Sequence, residues 1–397
     1  MKIAQINTCY EVGSTGKICY DLSSLLTKKG IENYILYYSG KSKLPNTYKC
    51  SAIFYEKIQA LKARILGNYG FNSHISTALT IYHLNKIKPD IVHIHNIHGH
   101  EVNMEILLKY LEKKQIRVVW TLHDCWTYTG YCTYYTLVKC DQWPKECKNC
   151  PLKRKYSWFF DRSNEMYRKK RKLFANLDVH IVTPSIWLME QAKKSFLQSK
   201  PVKVINNGIS LDVFKRTESN IRKDYKCENK ILLLGVAAEW SNRKGIDVFW
   251  KLAQKLDENY QIVLIGKIGE ENKKCKDKII YLSRTNNAKE LAKWYSAADL
   301  YINPTREENY PTVNLESIAC GTPVITYRTG GSPEMVGNDC GVAVEYDNFE
   351  ALYKAIINIT DMGKMKKNCL KKREEFDRYK KYEEYYELYN EISEDRD

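Results

Sequence analysis

Glu308 and Glu316 bracket seven residues in the stretch Arg306-Glu307-Glu308-Asn309-Tyr310-Pro311-Thr312-Val313-Asn314-Leu315-Glu316. The apolar run from Ala298 to Ile302 reads as a strand and Thr312 to Cys320 as the helix after it, stopped by Gly321 and followed by a strand from Pro323. In a parallel sheet such a strand-to-helix turn faces the ligand crevice. Free N–H groups around Tyr310 to Val313 would present a positive helix end to an anion such as a diphosphate, lined by Asn309, Tyr310, Pro311, Thr312 and Val313. Glu316, one turn in, could accept hydrogen bonds from ribose hydroxyls, and Glu308 could hold hydroxyls of a second ring beyond the phosphates. A nucleotide-sugar fits that arrangement. The plain alternative is one capping and one solvated glutamate.

Other groups with chemistry to offer lie at equivalent turns. Gly13-Ser14-Thr15-Gly16 follows a strand and opens a helix, a context that allows backbone to approach a phosphate closely. It lacks the Lys-Ser/Thr ending of a P-loop. Arg243-Lys244-Gly245 precedes another helix and would set two cations where a diphosphate leaves, stabilising the charge that develops there. An N-terminal cation opposes the helix dipole and so asks for a reason. His123-Asp124 ends the strand Arg117 to Leu122, where His123 is either a reacting or a satisfied structural histidine. His93, His95, His98 and His100 cluster without a carboxylate pattern that would complete a metal site. Asn96 and His98, in the loop beyond their strand, read as contacts to an acceptor.

Cys132, Cys140, Cys147 and Cys150 occupy a long insertion. The Cys147–Cys150 spacing is that of a zinc knuckle, and four thiolates would close a structural tetrahedron; free buried thiols or a disulfide are the other readings. From Lys153 to Lys172 nine basic residues meet two acidic ones, interleaved with Tyr156, Trp158, Phe159, Phe160 and Tyr167. Such a segment suits an anionic membrane surface, nucleic acid, or a solvated helix face.

The elements that must position these groups alternate along the chain. Strands are expected at Lys2–Thr8, Tyr34–Tyr38, Asp90–His95, Arg117–Leu122, Val179–Thr183 and Val202–Ile205, and again at Ile231–Val236, Gln261–Ile265 and Lys278–Leu282, with helices between. That order implies an α/β protein of parallel sheets covered on both faces. A boundary is expected near 200 to 228, after Asn206-Asn207-Gly208. The resulting domains are 1–200, with a Cys-rich insertion at about 125–157, and 201–373, then a terminal helix over 374–397 carrying Tyr379, Tyr382, Tyr385, Tyr386 and Tyr389.

A chain of 397 residues can build two such cores, and 44% hydrophobic content excludes disorder. No apolar run is long enough to span a bilayer. Met1 to Tyr10 alternates apolar and polar residues unlike a signal peptide, so a cytoplasmic location is expected. Thirteen cysteines, in a reducing compartment, are thiols or metal ligands before they are disulfides. A net charge of +16 favours an anionic partner without choosing one.

The Glu308/Glu316 spacing with Ala319, Gly321, Pro323 and Val324 behind it resembles the Glu-x7-Glu signature of glycosyltransferase family 4. The Gly-Ser-Thr-Gly turn is similar to the branch associated with colanic acid and capsule synthesis. Asn206-Asn207-Gly208-Ile209, Lys244-Gly245 and Gly330-Gly331-Ser332-Pro333-Glu334 extend the likeness over nearly the whole chain. The family's Arg normally stands several residues before its Lys, so Arg243 departs from the pattern. The resemblance implies a GT-B fold, two Rossmann-like domains with parallel sheets facing a central cleft. It implies retaining transfer of a sugar from a UDP- or GDP-linked donor to an acceptor hydroxyl, with His123, Lys244 and Glu308 catalytic and no cofactor needed for turnover. It implies a front-face reaction in which the leaving phosphate helps remove the acceptor proton. Arg284, in the loop Ser283-Arg284, would contribute to donor specificity. A lipid-linked or oligosaccharide acceptor at the inner face of the cytoplasmic membrane is expected from the basic aromatic segment. A sugar-nucleotide 2-epimerase and a nucleic-acid binding protein are the alternatives, although no nucleic acid is expected, because neither glutamate serves a phosphate backbone.

Overall fold

The computed structural model describes residues 1–11, 13–51 and 53–394. Val12 of the first glycine turn and residues 395–397 of the terminal segment lie outside the described residues. The chain divides into two compact units, one of Met1–Asn206 with Tyr382 onward, the other of Asn207–Lys381.

The first unit holds a seven-stranded sheet built from β1 (Lys2–Cys9), β2 (Glu32–Ser39), β3 (Thr47–Lys49), β4 (Ile91–Ile94), β5 (Arg117–Thr121), β6 (Val179–Thr183) and β7 (Val202–Val204). Their order is β3-β2-β1-β4-β5-β6-β7 and every pair is parallel. Short apolar runs make such strands because both faces are covered, and β4 and β5 are buried at every residue. The direction of winding reverses between β1 and β4, which opens the crevice at their carboxyl ends. Helix α1 (Gly13–Lys28) packs there with Ile18, Leu22, Leu25 and Leu26 on one face. Helices α2 (Ile53–Leu66), α3 (His74–Ile87) and α4 (Met104–Lys113) follow. The terminal helix Arg378–Glu394 buries Tyr382, Tyr385, Leu388, Tyr389 and Ile392 against Ile3, Ile18, Leu22 and Ile205.

The second unit holds a six-stranded parallel sheet of β8 (Ile231–Glu239), β9 (Tyr260–Lys267), β10 (Ile279–Leu282), β11 (Leu300–Asn303), β12 (Val324–Tyr327) and β13 (Gly341–Val344), ordered β10-β9-β8-β11-β12-β13. Here the winding reverses between β8 and β11. The 3-10 turn Asn242–Lys244 leaves the end of β8, and the loop that carries Glu308 leaves the end of β11. Two glycines let these segments meet. Gly245 has φ +76°, and a Cβ on it would stand 2.4 Å from the carbonyl oxygen of Pro304; Gly330 has φ +54°, with Glu308 O 2.0 Å from where its Cβ would be. Hydrogen bonds from Gly331 N to Asn309 O (2.6 Å) and from Thr329 Oγ1 to Thr305 O (2.9 Å) fix the same loop.

Candidate active site

In the second unit, Lys244 Nζ stands 2.6 Å from Glu308 Oε2, both side chains about four-fifths buried, at 22% and 19% exposure. The other oxygen of Glu308 accepts from Asn309 N at 3.3 Å. Arg243 turns its guanidinium to the same loop and donates to Glu307 O at 3.0 Å. Glu316 lies in the helix Thr312–Ala319, where its Oε2 accepts from the Tyr295 hydroxyl at 3.1 Å. Tyr301, at the core of β11, sees both carboxylates: burial, then the charges of Glu316 and Glu308, drive its phenol well above the ordinary range. Both glutamates therefore lie within electrostatic reach of one buried phenol.

The helix Thr312–Ala319 starts from Pro311 with no side chain capping it. Its first-turn N–H groups are those an anion would meet. Tyr310 is buried beneath that end, and its carbonyl accepts from Asn207 Nδ2 at 3.4 Å. Arg284 stands exposed after β10, the edge strand, two strands away from β8.

Sequence reasoning passed over the group that holds this site together. Arg306 forms a bidentate pair with Asp247 (2.8 and 2.8 Å), meets Asp347 at 2.8 Å, and donates to Asn242 O, while its backbone N–H donates to Arg243 O at 2.9 Å. Burial raises the Asp247 carboxyl, but the hydrogen bonds and charge of Arg306 outweigh it and hold it below its usual range. Position gave the only available signal, since Arg306 lies two residues before Glu308 and Asp247 two after Gly245.

In the first unit the glycine turn, Asn96, His98 and His123 gather at the ends of β1, β4 and β5. Gly13, Ser14, Thr15 and Gly16 form the first turn of α1, with Asn7 Nδ2 3.4 Å from Thr15 Oγ1. Asn7 Oδ1 also takes the N–H of Asn96 at 3.1 Å. A hydrogen-bonded chain runs from Gln5 Oε1 through the His95 ring to His123 Nε2, at 3.1 and 3.2 Å. Burial pushes His123 down to about 4, against the pull of Asp124, so it is a neutral imidazole at pH 7. His98 pairs instead with Asp124 at 2.9 Å. Burial lowers it, yet the charge and hydrogen bond of Asp124 leave its pKa raised. His93 packs its ring 3.9 Å from that of His95 but gives both nitrogens to Tyr389 Oη (2.6 Å) and Thr121 Oγ1 (2.8 Å), a satisfied core histidine.

Two details of the basic segment differ from its sequence pattern. Tyr156 and Tyr167 are buried, leaving Trp158, Phe159 and Phe160 exposed. Lys170 is fully buried, with Nζ donating to Trp126 O (2.6 Å) and Thr129 O (2.9 Å) beneath the Trp126 ring, and burial lowers it to about 7. Spacing could have shown this, since Lys170 repeats the Met166, Leu173 and Phe174 face of its helix. Cys132, Cys140, Cys147 and Cys150 line one small pocket as free thiols. Among the described residues no group of three or more His, Cys, Asp or Glu is arranged to hold a metal ion, so this geometry lends the expected zinc no support.

With this geometry in place, the comparisons are decisive for family. A model described as Glycosyltransferase Family 4 matches residues 15–213, half the chain, and one described as Glycosyl transferases group 1 matches 228–361. The chain belongs to glycosyltransferase family 4. It is 21% identical over 366 residues, 87% of each chain, to WcaC of Escherichia coli K12, named for colanic acid biosynthesis. CapM of Staphylococcus aureus, named for capsular polysaccharide biosynthesis, is 24% identical over 162 residues, 38% of this chain and 43% of its own. Among solved structures, sucrose-phosphate synthase from Thermosynechococcus elongatus superposes with a TM-score of 0.71 at 16% identity, covering 98% of each chain. The Anabaena protein HepE in complex with UDP-glucose gives 0.67 at 15% identity, covering 98% of this chain and all of its own. The family 4 chain is thus a glycosyltransferase with the GT-B fold, and neither the epimerase nor the nucleic-acid alternative is favoured. Among the described residues no helix is long and apolar enough to cross a membrane.

Proposed function

We propose that this family 4 enzyme moves a sugar from a nucleotide-diphosphate donor, UDP- or GDP-linked, to an acceptor hydroxyl with retention at the anomeric carbon. The observation that carries the reading is the Lys244–Glu308 pair beside the open helix end at Thr312, with Glu316 one turn in. The diphosphate is assigned to Lys244, Arg243 and the N–H groups of Thr312 and Val313; the ribose to Glu316; hydroxyls of the transferred sugar to Glu308. In the first unit the same reading gives Asn96, His98 and His123 to the acceptor.

In the reaction the bond from anomeric carbon to phosphate oxygen breaks and a bond to the acceptor oxygen forms on the same face. The acceptor proton passes to the departing phosphate oxygen. Lys244 and Arg243 stabilise the charge left behind, and the loop geometry orients the donor. Support for a nucleotide donor comes from the UDP-glucose complex of HepE, a protein of the same fold. The acceptor is proposed to be a lipid-linked oligosaccharide, met by a peripheral enzyme at the inner face of the cytoplasmic membrane. A thermal-shift screen against UDP-, GDP-, ADP- and dTDP-sugars tests the reading. One donor class should raise Tm in the wild type and not in Glu316→Ala; no shift with any of them would refute it.

A further inference from the structure

Helix α2 is turned inside out. Its apolar residues Phe54, Ile58, Leu61 and Ile65 recur at intervals of four, three and four, one stripe of a helix, yet that stripe faces solvent, Phe54 at 76% and Leu61 at 50% exposure. The face turned inward carries Gln59 and Ala63, with Gln59 Oε1 accepting from Ser73 N at 3.3 Å. A surface helix ordinarily does the opposite.

This stripe adjoins an exposed aromatic tip that directly follows the Cys-rich insertion. Trp158 N donates to Arg64 O at 2.8 Å, which sets Trp158, Phe159 and Phe160 at the carboxyl end of α2; Phe159 is 61% exposed. At the other end, Ile75 N donates to the Tyr55 hydroxyl at 3.1 Å, bringing up α3 with exposed Ile75, Leu79 and Tyr82. Exposed cations border the apolar residues: Lys57 and Lys62 on α2, Arg154 and Lys155 before the tip, with Arg162 over the Phe160 ring at 5.6 Å. Glu56 and Asp161 are the acidic neighbours in these segments.

We propose that α2 and the Trp158–Phe160 tip form a docking surface for an anionic lipid bilayer. Aromatic and aliphatic side chains would enter the headgroup boundary while the lysines and arginines meet lipid phosphates. A two-fold self-interface is the poorer occupant, because it would set Lys57, Lys62, Arg154 and Lys155 against their own copies. The surface deepens the transferase reading, in which the acceptor is lipid-borne. Its test reads vesicle binding rather than donor binding, so either can fail alone.

The full chain is floated with vesicles of phosphatidylcholine alone or with about 30% phosphatidylglycerol. Recovery is expected with the anionic vesicles, falling as salt rises. Phe54→Ser with Leu61→Ser, and separately Phe159→Ser with Phe160→Ser, should each weaken it by about tenfold or more. Both double variants should keep a Tm close to that of the wild type, since Phe54, Leu61, Phe159 and Phe160 are each half or more exposed. Equal recovery with neutral vesicles, no recovery with either, or variants that float as well as wild type would overturn the proposal. So would a wild-type dimer that these substitutions disperse without any vesicle binding.

Discussion

Lys244 is oriented before any donor arrives, because Glu308 holds its ammonium at 2.6 Å in a site largely closed to water. On the proposed mechanism it faces charge that grows in the transition state, so Lys244→Ala should lower kcat by roughly 10²–10³-fold, with a smaller change in KM. Turnover assays on wild type, Lys244→Ala and Lys244→Arg would check this, Arg retaining part of the rate. A second prediction concerns pH. The His98 pKa is raised in the folded state by Asp124, so the stability this pair contributes is fully present below the unfolded value, about 6.5, and is lost as pH rises through the folded value. Tm of wild type minus Tm of His98→Asn should therefore be larger at pH 6 than at pH 8.5. A difference constant across that interval would contradict the ion pair.

At the level of elements, the turn after β8 and the loop after β11 act together only because Arg306 straps them. Arg306→Ala leaves Asp247 and the Asn242 carbonyl without their donor, and should cost about 2 kcal/mol in chemical denaturation together with weaker donor binding. The terminal helix offers another test. Tyr389→Phe removes the hydroxyl bonded to buried His93 and should destabilise the protein by about 1–3 kcal/mol. Most strands were legible in the sequence because runs such as Ile231 to Leu234 and Ile91 to Ile94 have no other way to be buried on both faces. The strand β3 was not, since Thr47-Tyr48-Lys49 is three residues long and pairs only along an edge. The strand-to-helix turn that carries Glu308 and Glu316 was legible from the apolar run before it and the glycine stop after it. Arg306, Asp247 and the His98–Asp124 pair were not, because each joins segments far apart in sequence and no local spacing announces such a contact. The apolar residues of α2 recur at helical spacing, but spacing gives a stripe and not the side on which it faces.

For the whole molecule, the proposed mechanism has the protein's own cations, Lys244 and Arg243, do the work that a divalent ion does elsewhere. Turnover should accordingly survive EDTA at millimolar concentration with less than about a twofold loss, measured with the donor found by thermal shift. The net charge of +16 and the exposed stripe on α2 also predict that activity on a vesicle-borne acceptor falls with ionic strength faster than activity on a soluble one. The most direct test of the central claim is calorimetric titration of UDP and GDP onto wild type, Lys244→Ala and Glu316→Ala. One nucleotide should bind the wild type and bind each variant at least about tenfold more weakly. Unchanged affinity in both variants would contradict the claim that these residues grip the donor.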